Sequence, residues 1–444
     1  MKVRQICMMV LLGLGVIPAM QAQTFDKLWK EVKQAEKKSL PKTVIKLTDE
    51  IYQKGEKERN SAQMLKAYMW RMKTQDILTP DSFYVGLRDL EQWAKQTEQP
   101  MDRAILHSLI AEFYANYAAD NQWQLRQRTE IVGETPSADI REWTANMFVE
   151  KVRTNVKEAL ADSLLLLKTS SLNYIPFVEL GETSEYYHHD MYHLLASRAI
   201  RALNQIERLE RGSFNGITAS PVKQDISNIY ERMTDAYETA GLKEGYVLTM
   251  LQYLEWKRGN DNKLQPVQLK KGLGEWTADT YNAALDELKR QFKSEPICAE
   301  VYLAQVRYAV EKMQQVNALQ LCDEAIRLYP GYRRINALKN LREEILAPFL
   351  NVSAVSQAFP NEEIKLNVGH KNLDGFTVRL YQAKKLVKEQ HYSVLRPKDY
   401  RAKDTVFTFK APDLGTYVMR IIPDIRAKRD SESKFNVTRF KVLT

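Results

Sequence analysis

Cysteine is nearly missing from this chain, with three among 444 residues, and glycine (17) and proline (15) are few. That composition excludes a disulfide-built miniprotein, a collagen and a low-complexity tract. No apolar run approaches the roughly 20 residues that a membrane-spanning helix needs. No Gly-x-Ser-x-Gly elbow occurs, and Gly212-Ser213-Phe214 does not replace it. No phosphate loop occurs either, since Lys271-Gly-Leu-Gly274 lacks the spacing and the Lys-Ser/Thr ending. What the chain has in quantity is charge (27% Asp, Glu, Lys and Arg) and hydrophobic residues (44%), enough for about two or three domains with cores of their own.

The first 22 residues have the plan of a signal peptide: Lys2 and Arg4, an apolar run from Ile6 to Ile17, then Pro18 and small residues ending at Ala22. Cleavage there leaves Gln23 as the new terminus and removes Cys7. Export to the periplasm or cell surface is therefore expected. In that oxidising setting Cys298 and Cys322 either form a bridge or remain two buried thiols.

From Phe25 to about Pro348 apolar residues recur at three- and four-residue spacing, as in Phe25, Leu28, Trp29, Val32 and Ala35. Breaks are expected at Leu40-Pro41, Thr79-Pro80, Gln99-Pro100, Thr135-Pro136, Gly212 to Pro221, Gly241 and Gly259. The pattern predicts an α-helical solenoid of stacked hairpins over 23–348. Within it, Ala299-Glu-Val-Tyr302, Ala318, Ala325, Leu328 and Pro330 resemble one degenerate tetratricopeptide repeat, with Met313 standing at the turn glycine and Gln305-Val306 where Leu-Gly is usual. Residues 229–258, with Ala236, Tyr237, Ala240 and Gly241, form a looser unit.

Beyond Pro348 the period changes to two. Strands are expected at Asn351 to Ala358, Glu363 to Val368, Phe376 to Tyr381, Thr405 to Phe409, Tyr417 to Ile421 and Val437 to Val442, with turns at Pro360-Asn361, Asp374-Gly375 and Pro412 to Gly415. About seven short strands in 349–444 predict an immunoglobulin-like β-sandwich, and Ala411 to Tyr417 resembles its tyrosine-bearing turn. The fold class is thus mainly α, then β. From Leu350 to Thr444 there are 18 Lys and Arg against 10 Asp and Glu. The positive excess runs through Lys384, Lys385, Lys388, Arg396, Lys398, Arg401, Lys403, Arg426, Lys428 and Arg429. It reads as a solvated face or an attraction to acidic partners, not as a nucleic-acid surface.

Phe25-Asp-Lys-Leu-Trp29, Leu40-Pro-Lys-Thr43, Phe359-Pro-Asn-Glu-Glu-Ile-Lys-Leu366, Asn372-Leu373 and Val378-Arg-Leu-Tyr381 resemble the N-terminal portion of the bacterial (Bacteroidetes) alpha-2-macroglobulin family. The resemblance implies a macroglobulin-type sandwich and an endopeptidase inhibitor that traps proteases of the envelope. The bait region, later macroglobulin domains and thioester domain of that family are expected beyond Thr444. Cys298-Ala-Glu-Val301 does not match the family's Cys-Gly-Glu-Gln thioester. The expected partners are proteases, other envelope proteins or downstream macroglobulin domains, with no nucleic acid and no membrane span. A stand-alone periplasmic tetratricopeptide-like scaffold for protein–protein interaction is the alternative.

No catalytic, cofactor-binding or metal residues are assigned, and an enzyme is not expected. In Tyr186-Tyr-His-His-Asp-Met-Tyr-His193, His189 and His193 stand four apart beside Asp190, which permits two imidazole ligands on a helix; helix-start polarity, with Tyr187, Met191 and Leu194 or Leu195 facing the core, accounts for the same residues. Glu343 and Glu344 read as surface. Trp29, Trp70, Trp93, Trp123, Trp143, Trp256 and Trp276 read mainly as helix packing, with a minority available to grip a peptide.

Overall fold

The structure is a computed structural model that describes residues 17–79, 83–129, 137–181, 184, 189–210, 220–260, 281–424 and 437–443. The described chain is mainly helical and ends in strands. It divides into two compact units, Met1–Tyr253 and Leu254–Thr444. The first strand opens at Phe349, where the sequence changes period. Four helices share the second unit with the strands.

Among the described residues, ten α-helices precede the division: α1 (Ile17–Lys37), α2 (Pro41–Lys57), α3 (Ser61–Leu78), α4 (Phe83–Gln96), α5 (Pro100–Asp120), α6 (Gln122–Gln127), α7 (Ala145–Ala159), α8 (Ser163–Lys168), α9 (Met191–Glu207) and α10 (Pro221–Thr239). Proline stands in the first turn of α2, α5 and α10, where its missing N–H costs no helical hydrogen bond. The α1 stripe Phe25, Leu28, Trp29, Val32 and Ala35 is buried in one cluster with Val44, Ile51 and Ala67. Trp29 Nε1 donates to Gln63 Oε1 at 2.7 Å, so even the polar edge of that indole is satisfied. Successive helices pack through α5, which then meets α7 and α9 together.

Two departures from the expected helical run stand out. Between α2 and α3 the chain turns at Arg59 (φ 52°), and Asn60 accepts from Gln63 N to cap α3. No proline or glycine marks this break. Residues 169–181 are largely irregular instead of helical, passing through a 3-10 turn at Ser171–Tyr174 and a cis Ile175-Pro176 peptide. Pro176 removes a backbone donor, and Ser170 pairs with Asp190 in an isolated antiparallel bridge.

The helix α11 (Lys243–Asn260) crosses the division. Gly241 (φ 69°) makes the turn between α10 and α11 that glycine adopts without strain. Then follow α12 (Tyr281–Phe292), α13 (Cys298–Glu311), α14 (Gln315–Leu328) and α15 (Ile335–Leu346), each of the last three packed on its predecessor. Ala299, Ala318 and Ala325 are all buried, which lets α13 and α14 approach closely. Met313, between them, is held at φ 58° although more than half exposed. A left-handed conformation costs a side-chain-bearing residue about 1–2 kcal/mol. Met313→Gly is therefore expected to stabilise the chain by about 0.5–1 kcal/mol after glycine's extra unfolded-state entropy, read as a higher urea midpoint.

The strands are β1 (Phe349–Ser353), β2 (Gln357–Ala358), β3 (Glu363–Lys371), β4 (Gly375–Gln382), β5 (Lys385–Ser393), β6 (Lys403–Lys410), β7 (Gly415–Pro423) and β8 (Val437–Val442). One sheet has the order β1-β3-β6 and the other β2-β8-β7-β4-β5. Ile364, Leu366, Val368 and Phe409 from the first sheet share one core with Phe376, Val378, Leu380, Tyr417, Met419 and Ile421 from the second. The single strand expected over Asn351 to Ala358 is two: β1 pairs with β3, and β2 pairs in parallel with β8. A further strand, β5, lies at the sheet edge against β4. Its turn, Ala383-Lys384, has both φ positive without glycine or asparagine, and only Tyr392 along the strand is fully buried.

Candidate functional site

Helix α9 starts just after its N-cap residue, Asp190. Asp190 is extended (φ −87°, ψ 156°), and its carboxylate accepts from His193 N at 2.7 Å, satisfying one of the free donors of the first turn. The same carboxylate accepts from Tyr237 Oη at 3.0 and 3.1 Å, and the residue is only 3% exposed. Burial and this neighbouring carboxylate push the Tyr237 phenol well above its ordinary range, so it remains a donor. Backbone bonds from Ser171 N to His189 O (2.7 Å) and from Met191 N to Thr169 O (2.9 Å) lace the irregular segment to the helix start. The helix thus begins after His189, and His189 and His193 do not share a helical face as their spacing suggested. Among the described residues no group of three or more His, Cys, Asp or Glu is placed to hold a metal ion. Met191 and Leu195 are buried, while Tyr187 lies outside the described residues.

A second carboxylate fixes the other end of the irregular segment. Asp102, in the first turn of α5, accepts from Tyr174 Oη at 2.8 Å and from Ser61 Oγ. Its position also suits the positive end of the α5 dipole. Residues 175–181 are held between these anchors beside α3, α5 and α9, and a cavity of about 350 Å³ lies among them. That is near the lower end of the roughly 300–1,000 Å³ range of ligand pockets.

The walls are mostly apolar, from Met69 and Trp70 on α3, Leu109 on α5, Phe177 and Val178 on the crossing segment and Leu195 on α9. Lys66 contributes a cation whose side chain is only 14% exposed. Its ammonium lies 5.1 Å from the Trp29 ring centroid and 5.6 Å from that of Trp70, and 3.1 Å from Glu179 Oε1. Arg198, also in the lining, is paired with Glu112. Ser108 Oγ and Trp70 Nε1 are buried without a hydrogen-bond partner among the described residues. The cavity thus joins apolar walls to two cations, each already ion-paired.

Of these residues sequence reasoning singled out only Trp29, Trp70 and Leu195, and read them chiefly as packing. Lys66, Ser108 and Arg198 stand on three helices far apart in the chain, and no local spacing connects them. Glu343, Glu344, Trp93, Trp143 and Trp256 are not among the lining residues. Glu343 and Glu344 are exposed; Trp29 and Trp143 are buried; Trp70, Trp93 and Trp256 are half-buried. Trp123, on α6, is 73% exposed, and Trp276 lies outside the described residues. So do Cys7, Gly212 to Phe214, Lys271 to Gly274, Arg426, Lys428 and Arg429. The basic residues that are described do not form one stripe: Lys384, Lys385 and Lys388 flank the β4–β5 turn, and Arg396 to Arg401 lie on the β5–β6 connection.

Cys298 and Cys322 are buried, free thiols. Burial raises both above the ordinary thiol range, Cys322 to about 11, which withholds the reactive thiolate. Two equivalents of a thiol-reactive dye are expected to couple to residues 23–444 only after denaturation without reductant; no coupling then would reveal a bridge. The sequence matches no protein-family model and no curated protein.

Proposed function

We propose that this chain is the N-terminal module of an alpha-2-macroglobulin-like endopeptidase inhibitor of the bacterial envelope, in which an α-helical solenoid leads into an immunoglobulin-like, macroglobulin-type sandwich. The observation that carries the reading is the strand arrangement. A three-stranded sheet β1-β3-β6 faces β2-β8-β7-β4-β5, with the first strand divided between the sheets. In an immunoglobulin-like sandwich a tyrosine near the start of a late strand returns its hydroxyl to the chain just upstream. Tyr417 Oη donates to Asp413 O at 2.8 Å, in the turn that the sequence marked. Helices α12 to α15, packed in chain order around an alanine-lined hairpin, support the tetratricopeptide-like solenoid.

In this reading the module is exported and non-enzymatic. Trapping a protease needs the bait and later macroglobulin domains, which these 444 residues do not include. The test is an immunoblot of the native envelope with antibody to residues 23–444. The inhibitor reading expects a band far above 51.5 kDa. A band at that mass overturns it in favour of a stand-alone tetratricopeptide-like scaffold. The cavity of the first unit favours that second reading, because it gives the helical array a binding site of its own.

A further inference from the structure

We infer that the cavity between α3, α5, α9 and residues 175–181 binds a small amphipathic carboxylate, an apolar chain or side chain that ends in a free carboxyl group. The inference stands whether the chain is the front of an inhibitor or a scaffold.

The walls set the apolar part. Met69, Trp70, Leu109, Phe177, Val178 and Leu195 enclose a volume too small for a folded partner and suited to one aliphatic chain or one large side chain. Burying such a group recovers about 25 cal/mol per Å² of apolar surface removed from water.

The polar groups set the other end. Ser108 is 5% exposed and its Oγ has no partner among the described residues, and Trp70 Nε1 is buried in the same condition. An indole N–H can only donate, so the atom that satisfies it must be an acceptor. Both residues line the cavity, and a turn of either side chain toward it would let a ligand oxygen recover the about 1–3 kcal/mol that a buried unused donor costs.

The cations set the sign. Lys66 and Arg198 both belong to the lining, and its one carboxylate among the described residues, Glu179, is already engaged by Lys66. The Glu179 side chain is 73% exposed, against 14% for Lys66. The ammonium therefore sits on the inner side of that pair, where a bound carboxylate joins it or takes the place of Glu179. An amine in the same position meets two cations, and Glu179 is already held by Lys66.

Two sources present this chemistry: a medium-chain fatty acid, and the C-terminal residue of a peptide. Titration calorimetry of the whole chain separates them, using decanoate, decan-1-ol and decylamine below their micellar concentrations, and acetyl-Ala-Leu as free acid and as amide. Saturable binding is expected for at least one free carboxylate, with decylamine silent. Decanoate without the dipeptide identifies the fatty acid, and the reverse identifies the peptide terminus. Lys66→Gln is expected to weaken the carboxylate about tenfold, the 1.4 kcal/mol of one charge-assisted contact, and to leave decanol unchanged. Leu109→Trp fills the cavity and is expected to abolish binding, with Met69→Trp as a second filling variant from another helix should the first fail to fold. No saturable heat from any carboxylate, equal affinity for acid and amine, or undiminished binding in a folded filled variant would each overturn the inference.

Discussion

Replacing Asp190 by alanine is expected to lower stability by about 3 kcal/mol, one of the two largest single effects in the molecule. The loss has two parts. Removing an N-cap costs about 1 kcal/mol, and stranding the buried Tyr237 hydroxyl costs about 1–3 kcal/mol more. Asp190→Asn keeps an oxygen that can cap α9 and accept from Tyr237, and is expected to cost under about 1 kcal/mol. The double variant Asp190→Ala, Tyr237→Phe removes the stranded donor, so it is expected to cost less than the two single changes added together. Melting followed by circular dichroism measures all four. Strict additivity would mean that the hydrogen bond contributes nothing beyond the cap.

Arg334→Ala is expected to have a similar effect in the second unit. Glu300 lies in the first turn of α13, 6% exposed, and accepts from Arg334 Nη1 at 2.9 Å and Tyr332 Oη at 3.0 Å. Removing one partner of a buried ion pair costs about 3–5 kcal/mol, because the other charge stays buried. Arg334 keeps about a fifth of its side chain in water, which places the expected loss at the lower end, about 3 kcal/mol. Neutralising the survivor with Glu300→Gln in the Arg334→Ala background is expected to restore much of it. A urea midpoint in the double variant as low as in Arg334→Ala alone would assign the loss to packing of the arginine stem instead of to charge.

The elements legible in the sequence are those in which burial writes a period. Ile364, Leu366 and Val368 alternate with Glu363, Lys365 and Asn367, and β3 lies where that alternation places it. The α1 stripe and the turns at Pro41, Pro100 and Gly241 are readable for the same reason or from backbone chemistry. Strand β5 is not, because an edge strand exposed along most of its length has no apolar face to display. Its Ala383-Lys384 turn hides a left-handed pair behind residues that do not advertise one. Arg59 does the same between α2 and α3. The cavity is the least legible feature: Lys66, Ser108, Phe177 and Arg198 meet only after four segments have packed. The histidine-rich stretch pointed to the right neighbourhood through the wrong residue, since Asp190 does the structural work there.

The divided first strand also sets an order of assembly during synthesis. Gln357 and Ala358 emerge from the ribosome 84 residues ahead of their sheet partners, Lys441 and Val442. Until β8 arrives, β2 has no strand to join and β7 presents an open edge along Gly415 to Arg420, where β8 will pair. The strand region therefore cannot close until β8 has emerged, although local hairpins such as β4–β5 are available much sooner. A stalled or clipped product ending before Val437 would expose that edge permanently, and its expected fate is strand-to-strand aggregation or capture by a chaperone.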